Sequence, residues 1–164
     1  MFMAGTARGS LFWGKNMNEM EYGLERVLHD EIPLTKDMGI EVVRYDGQAL
    51  TLKAPIAPNM NHKSTVFGGS LYSVAVLSGW GLLHLKLKEQ GLAGHIVIYE
   101  SAISYHVPVD GDFEAQCGLP EELIFSRFLE GFRKKGKSRI SLRANVKSKS
   151  SVAVNFEGIY VVHA

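Results

Sequence analysis

Hydrophobic and polar residues follow one another in patterns that predict short helices and strands at the start of the chain. Met20 to Ile32 has apolar residues spaced as on one face of a helix, and Pro33 ends it. Met38 to Val43 and Ala49 to Ala54 have the pattern of strands, joined through an Asp-Gly turn at Asp46. The first third of the chain therefore predicts a helix followed by a hairpin.

A longer helix and four more strands are predicted after the hairpin. Gly69 to about Gln90 is apolar nearly all round, which is typical of a helix covered by protein on most sides. Apolar runs and alternation with a period of two then predict strands at His95 to Val107, Phe113 to Gly118, Arg139 to Lys147 and Val152 to Val162. Five or six antiparallel strands must cover one long helix, so we expect an α+β domain whose sheet wraps round it.

A sheet of this kind has open edges, and this predicts how the chain assembles. Unpaired edge strands are a liability that pairing between two copies removes. We therefore expect a homodimer, and a tetramer is left open as a further assembly.

Composition narrows the class of protein. The 164 residues include 18 Lys and Arg against 17 Asp and Glu, a net charge of +1, and 46% are hydrophobic. This balance is typical of one packed domain, and it leaves no overall positive field of the kind that holds nucleic acid phosphates. A single cysteine, Cys117, excludes an intrachain disulfide and a thiolate zinc site, and it is consistent with a cytoplasmic location.

Two segments have some features of targeting or membrane signals. Residues 1–18 lack the apolar run of a signal peptide, so we expect a disordered leader before a domain at residues 19–164. Ser64 to Leu85 is uncharged and long enough to span a bilayer, but half of its residues are polar or Gly. A buried helix explains this segment better than a membrane span.

The segment before the long helix resembles a known motif. Asn61 to Gly69 reads NHKSTVFGG, and it resembles the Asn-x-x-Gly-Thr-x-His-Gly-Gly motif of hot-dog fold thioesterases. The order of predicted elements agrees over roughly residues 20–162. Ala57 to Asn61 and Ser78 to Gly81 are similar to a bacterial branch of thioesterase domains that is sometimes fused behind an acetyltransferase domain. The resemblance implies a hot-dog fold, an antiparallel sheet of five to six strands round a central helix.

What the resemblance implies for function is hydrolysis of acyl thioesters carried on coenzyme A or acyl carrier protein, without a cofactor or metal. Three positions depart from the motif: Phe67 replaces His, Ser64 replaces Gly, and Val76 replaces a helical Asp that many members carry. A module that binds acyl thioesters without cleaving them is therefore the second hypothesis. A dehydratase-like hot-dog enzyme is the third, and it would need a His–acid pair that includes His62 or His106.

The glycine pair gives the main catalytic hypothesis. Backbone amides near Gly68, Gly69 and Ser70 lie at a helix N-terminus, where N–H groups lack helical partners and the helix dipole is positive. Such amides can hold the oxyanion that forms when water attacks a thioester, and we assign Gly69 as the donor. The alternative is that the two glycines only turn the chain into the helix.

Hydrolysis also needs a base, and Glu100 is the candidate. Alternation along the strand places it on the face of Ile96, Ile98 and Ala102, where partial burial would favour general base catalysis. The alternative is that this face is solvated or that Glu100 pairs with a basic residue.

Further residues of the loop and helix are candidate contacts. Asn61 could orient water or the glycine loop, or it could cap a turn, and the same choice applies to Asn59. No base is near Ser70 or Ser73 in sequence, which disfavours a covalent acyl-enzyme. The expected substrate contacts are Asn59, His62, Thr65, Phe67, Gly68, Ser70 and Ser73.

A basic run follows a group of phenylalanines. Arg133 and Lys135 belong to a cluster that could bind coenzyme A phosphates or an acidic carrier protein, or could be a solvated loop. Phe125 and Phe128 precede it, and they either line an acyl pocket or seat this loop on the core.

Overall fold

The computed structural model describes residues 17–164, so residues 1–16 of the predicted leader lie outside it. Pairs of consecutive strands follow the helices along this part of the chain, with a short 3-10 turn at Ala57–Asn59 before the longest helix. The elements are α1 (Glu19–Glu31), α2 (Leu34–Asp37), β1 (Glu41–Tyr45), β2 (Ala49–Ala54), α3 (Gly68–Glu89), β3 (His95–Tyr105), β4 (Phe113–Gly118), α4 (Glu122–Lys135), β5 (Lys137–Ser148) and β6 (Ser151–His163).

A reciprocal cap starts α1. The side chain of Asn18 accepts a hydrogen bond from the Glu21 N–H, and the Glu21 carboxylate accepts one from the Asn18 N–H, both at 2.9 Å. Glu21 is buried and also accepts from the backbone N–H of Tyr45 at 2.7 Å. The same carboxylate therefore caps the helix and fixes it to the end of β1.

The six strands form one antiparallel sheet in the order β1-β2-β4-β5-β6-β3. The predicted Asp-Gly turn joins β1 and β2: the Asp46 carboxylate accepts from the N–H groups of Gln48 and Ala49, and Gly47 has a φ of 86°. Strands β1 and β3 are the two edges of the sheet.

Helix α3 lies against the inner face of this sheet and contacts β2 to β6. Gly79 allows the closest approach, since a Cβ there would overlap the phenol of Tyr160. The Tyr160 hydroxyl donates to the Val76 carbonyl at 2.7 Å. The predicted α+β fold with a six-stranded sheet round a long helix is confirmed. Among the helices of residues 17–164, α3 included, there is none with the length and hydropathy that a membrane span requires.

Helix α4 was not predicted. The segment between β4 and β5, interpreted as a basic loop, is a helix whose Phe128, Leu129 and Phe132 are buried. It ends at Gly136, which has a φ of 65° and donates its N–H to the Phe132 carbonyl. The phenylalanines therefore anchor a helix to the core and not a loop.

Candidate active site

The loop before α3 is held by Asn61. Its side-chain oxygen accepts from the N–H groups of Lys63 and Thr65 at 2.8 and 3.2 Å, and its side-chain nitrogen donates to the Thr65 hydroxyl at 2.9 Å. These bonds close a turn inside the loop, so they favour the capping role over the orientation of water. The Thr65 hydroxyl, a predicted substrate contact, accepts one of these hydrogen bonds.

Ser64 completes this turn in an unusual conformation. Its φ is 60°, in the left-handed region that favours glycine. The position is the one where the thioesterase motif has Gly, the residue that adopts this conformation without strain.

Asn59 connects the loop to the core through buried hydrogen bonds. It is only 2% exposed, and its side-chain amide donates to the carbonyls of Met38 and Pro55 at 2.8 and 2.7 Å. The backbone carbonyl of Asn59 accepts a hydrogen bond from the Phe67 N–H at 2.7 Å. Burial favours its structural role over the expected substrate contact.

The first turn of α3 has two free backbone donors. Phe67 precedes the helix and provides no side-chain cap. Within residues 17–164, the N–H groups of Gly68 and Gly69 have no acceptor, whereas those of Ser70 and Leu71 both donate to the Phe67 carbonyl, at 2.9 and 3.2 Å. The prediction that the Ser70 amide is also free is therefore wrong, because it closes a tight first turn. The positive end of the helix presents two adjacent donors.

Two aromatic rings flank these donors. The Phe67 ring lies over Gly69, where a Cβ would overlap it, and the Tyr105 ring lies 3.6 Å from the Cβ position of Gly68. The Tyr105 hydroxyl donates to the Gly68 carbonyl at 3.0 Å. A cavity of about 280 Å³ opens beside Gly68, and Leu71 is part of its lining. Close packing against Phe67 thus requires glycine at position 69, whereas position 68 has room for a Cβ.

The serines of the first helical turns are engaged with the helix or buried. The Ser73 hydroxyl donates to the Gly69 carbonyl at 2.8 Å, and Ser70 is buried. His62 is exposed in the loop. In the described part of the chain, none of the three has a hydrogen bond to a basic or acidic side chain. The structure therefore shows no base that would activate Ser70 or Ser73 as a nucleophile there.

The placement of Glu100 corrects a prediction. Ile98 pairs with Tyr160 and Glu100 pairs with the next residue, Ile159, because a β-bulge at Tyr99 inserts one residue. The bulge turns Glu100 to the outer face, away from α3, and leaves it exposed. The prediction that Glu100 shares the face of Ile98 is therefore wrong, and its role as a base stays a prediction.

The basic residues lie elsewhere. Arg133 and Lys135 are in the last turn of α4, and Arg133 donates to the Gln90 side chain at 2.8 Å. Arg133 lines a different cavity, of about 620 Å³, and neither residue lines the one beside Gly68. Their binding of phosphates stays a prediction.

Sequence reasoning did not single out Tyr105, and it named His106 only for the dehydratase hypothesis. Both line the cavity beside Gly68. The His106 ring nitrogen Nε2 accepts from the Asn155 side-chain amide at 2.9 Å. In residues 17–164 neither His106 nor His62 is paired with a carboxylate, so the His–acid pair of a dehydratase is missing there. Gly68 and Tyr105 are 37 positions apart in the sequence, so no local signal predicts their contact.

Comparison with known proteins gives a consistent result. Residues 21–164 match the family model described as "Putative thioesterase (yiiD_Cterm)". A protein of unknown function from Chlorobaculum tepidum is 37% identical, with 87% of this chain and 93% of that chain covered and a TM-score of 0.82. A thioesterase from Shewanella oneidensis, named as putative, is 28% identical with coverages of 90% and 100% and a TM-score of 0.82. A Pseudomonas aeruginosa protein described as a probable thioesterase shares the fold at 19% identity, with coverages of 87% and 94% and a TM-score of 0.75.

Proposed function

Since the chain belongs to this thioesterase family of the hot-dog fold, we propose that it hydrolyses acyl thioesters of coenzyme A or acyl carrier protein by direct attack of water. The observation that carries the proposal is the pair of free N–H groups at Gly68 and Gly69. They lie at the positive end of a 22-residue helix, and Gly68 lines a cavity there. Two donors at one helix end suit an oxygen that gains negative charge.

The proposed reaction follows from this geometry. The thioester carbonyl oxygen accepts from the amides of Gly69 and Gly68, and a water oxygen bonds to the carbonyl carbon. The two amides hold the oxyanion of the tetrahedral intermediate until its electron pair re-forms the C=O bond and the carbon–sulfur bond breaks. The water proton ends on the thiolate, so the products are a free acid and a thiol.

The proposal includes a second copy of the chain. Among residues 17–164, strand β3 is an edge of the sheet and has exposed large residues, among them Val97, Tyr99 and Tyr105 at 47%, 67% and 51% exposure. A long unpaired edge with this composition favours pairing with another β3. We propose a homodimer in the cytoplasm, and the single buried cysteine is in accord with a reducing compartment.

Release of thiol tests the activity directly. Short to long acyl-CoA and acyl carrier protein substrates are incubated with the protein, and free thiol is followed with a disulfide reagent. Cys117 does not interfere, because it is buried and burial raises the pKa of its thiol to about 12. Turnover would support hydrolysis, and tight binding of a substrate without turnover would favour the binding module.

Proline at Gly68 isolates one amide. Gly68 is the first helical residue, where proline is well tolerated, and Phe67 before it has the extended φ and ψ of −61° and 132° that a following proline needs. We expect Gly68→Pro to lose about 10²–10³ in kcat. The matched Gly68→Ala variant adds a Cβ at an ordinary 3.6 Å contact and keeps the N–H, so it should retain turnover.

The Gly69 donor has its own matched pair. Gly69→Ala and Gly69→Pro both place a Cβ against the Phe67 ring, and only the second removes the N–H. If both proline variants turn over like their alanine partners, the amides are not the oxyanion donors. In the same assay Glu100→Gln tests the base: loss of turnover with an intact fold would support that role, and retained turnover would agree with its outward position.

A further inference from the structure

In the described part of the chain, Tyr105 is the one side chain of a β-strand that forms a hydrogen bond with the backbone of Gly68 or Gly69. It is the last residue of β3, and its hydroxyl donates to the Gly68 carbonyl oxygen at 3.0 Å. Its ring also lies beside Gly68, at 3.6 Å from the Cβ position. The contact joins a sheet edge to the first turn of α3 over 37 residues of sequence.

The bonded carbonyl and the proposed oxyanion donor are parts of one peptide group. The C=O of Gly68 and the N–H of Gly69 share a planar peptide and point in opposite directions. A hydrogen bond to the oxygen fixes the direction of the N–H and polarises it, because hydrogen bonds in series strengthen one another. We propose that Tyr105 is a positioning residue that aims and strengthens the Gly69 N–H, an inference that rests on the proposed function.

The helix end needs such support from outside. Two successive glycines have more backbone freedom than any other pair, and Phe67 at the N-cap position makes no side-chain cap. A capping side chain would itself occupy the free N–H groups. Tyr105 holds the peptide by its carbonyl, and this leaves the N–H of Gly69 open to a ligand.

Tyr105 also keeps its proton over the working range. Burial raises the pKa of its phenol above the ordinary value of 10.0. The hydroxyl therefore remains a donor at neutral and moderately alkaline pH, and its bond to Gly68 does not change with pH there.

The test removes the hydroxyl and keeps the ring. We expect Tyr105→Phe to lower kcat about three- to tenfold with KM nearly unchanged, the scale of one lost hydrogen bond acting in the transition state. Tyr22→Phe is the matched control, since Tyr22 is an exposed tyrosine on α1. Its kinetics should equal those of the native chain. Unchanged kcat in Tyr105→Phe would overturn the proposal.

A second readout does not depend on turnover. In amide ¹H–¹⁵N spectra, Tyr105→Phe should move the Gly69 resonance and leave that of Gly91, at the far end of the helix, in place. A fall in kcat without a change at Gly69 would mean that Tyr105 acts only by stabilising the fold, which contradicts the proposal. If the native chain has no thioesterase activity, the proposed function fails, and the Gly69 resonance still decides whether Tyr105 sets this amide.

Discussion

Ser64 has a left-handed backbone conformation that is strained for a residue with a Cβ. It is one of two non-glycine residues with positive φ in residues 17–164, the other being Lys149. Left-handed φ costs an L-residue about 1–2 kcal/mol, and glycine avoids this but loses roughly 0.5–1 kcal/mol in chain entropy. We therefore expect Ser64→Gly to stabilise the fold by about 0.5–1 kcal/mol, which corresponds to an increase in Tm of roughly 1–4 °C.

Thermal unfolding with a neighbouring variant as control checks the argument. Lys63 belongs to the same exposed loop and has no positive φ. Lys63→Gly gains flexibility without relief of strain, so its Tm should fall. If Ser64→Gly lowers Tm as Lys63→Gly does, strain at Ser64 is not what limits stability.

Single residues were predictable where their partners are close in sequence. Asn61 bonds to Lys63 and Thr65, so its turn could be anticipated from composition. Glu100 could not be placed, since strict alternation from Ile98 gives the wrong face once a bulge adds a residue at Tyr99. Neither Gly nor Pro marks that bulge in the sequence.

Helix α4 shows how an element can be missed although its pattern is present. Phe125, Phe128 and Phe132 have the i, i+3, i+7 spacing of a helical face. The basic residues after them favoured a loop interpretation. In the structure Arg133 and Lys135 occupy the last turn, where positive charge interacts well with the helix dipole. Helix α3 was predicted to within one residue at each end because its apolar run is long.

His84 makes the stability of α3 dependent on pH. It stacks on Trp80 with 5.2 Å between ring centres. Burial, and then the charge of Lys88, lower the pKa of His84 below the ordinary 6.5. The unfolded chain therefore binds a proton at His84 more readily than the folded chain does. The stabilisation of the fold by neutral His84 is complete above about pH 6.5 and is lost as the pH falls below it.

Chemical denaturation at several pH values measures this effect. Between pH 7.5 and pH 5 the native chain should lose more free energy of unfolding than His84→Gln, which cannot take up a proton at this position. His62→Gln is the control for loss of an imidazole elsewhere, because His62 lies exposed in the loop before α3. Equal slopes for the native chain and His84→Gln would contradict the assignment.

At the scale of the whole molecule, the wrapped sheet could be predicted because few arrangements cover a long apolar helix. The strand order could not be read from alternation alone. Strand β3 lies at the edge beside β6, although it precedes β4 and β5 in the chain. This crossover places the end of β3, with Tyr105, next to the first turn of α3, and so builds the candidate site.

The same crossover leaves β3 as the edge at which we expect two chains to meet. Tyr99, 67% exposed at the bulge, lies in the middle of that strand, whereas Tyr22 is 58% exposed on α1. A carboxylate at an edge-to-edge contact would be desolvated, so Tyr99→Asp should convert a dimer of twice 18.1 kDa into a monomer. Tyr22→Asp carries the same change on a different face and should stay dimeric. Light scattering coupled to size exclusion measures both masses. A dimeric Tyr99→Asp variant would place the interface elsewhere, and a monomeric native chain would overturn the proposed dimer.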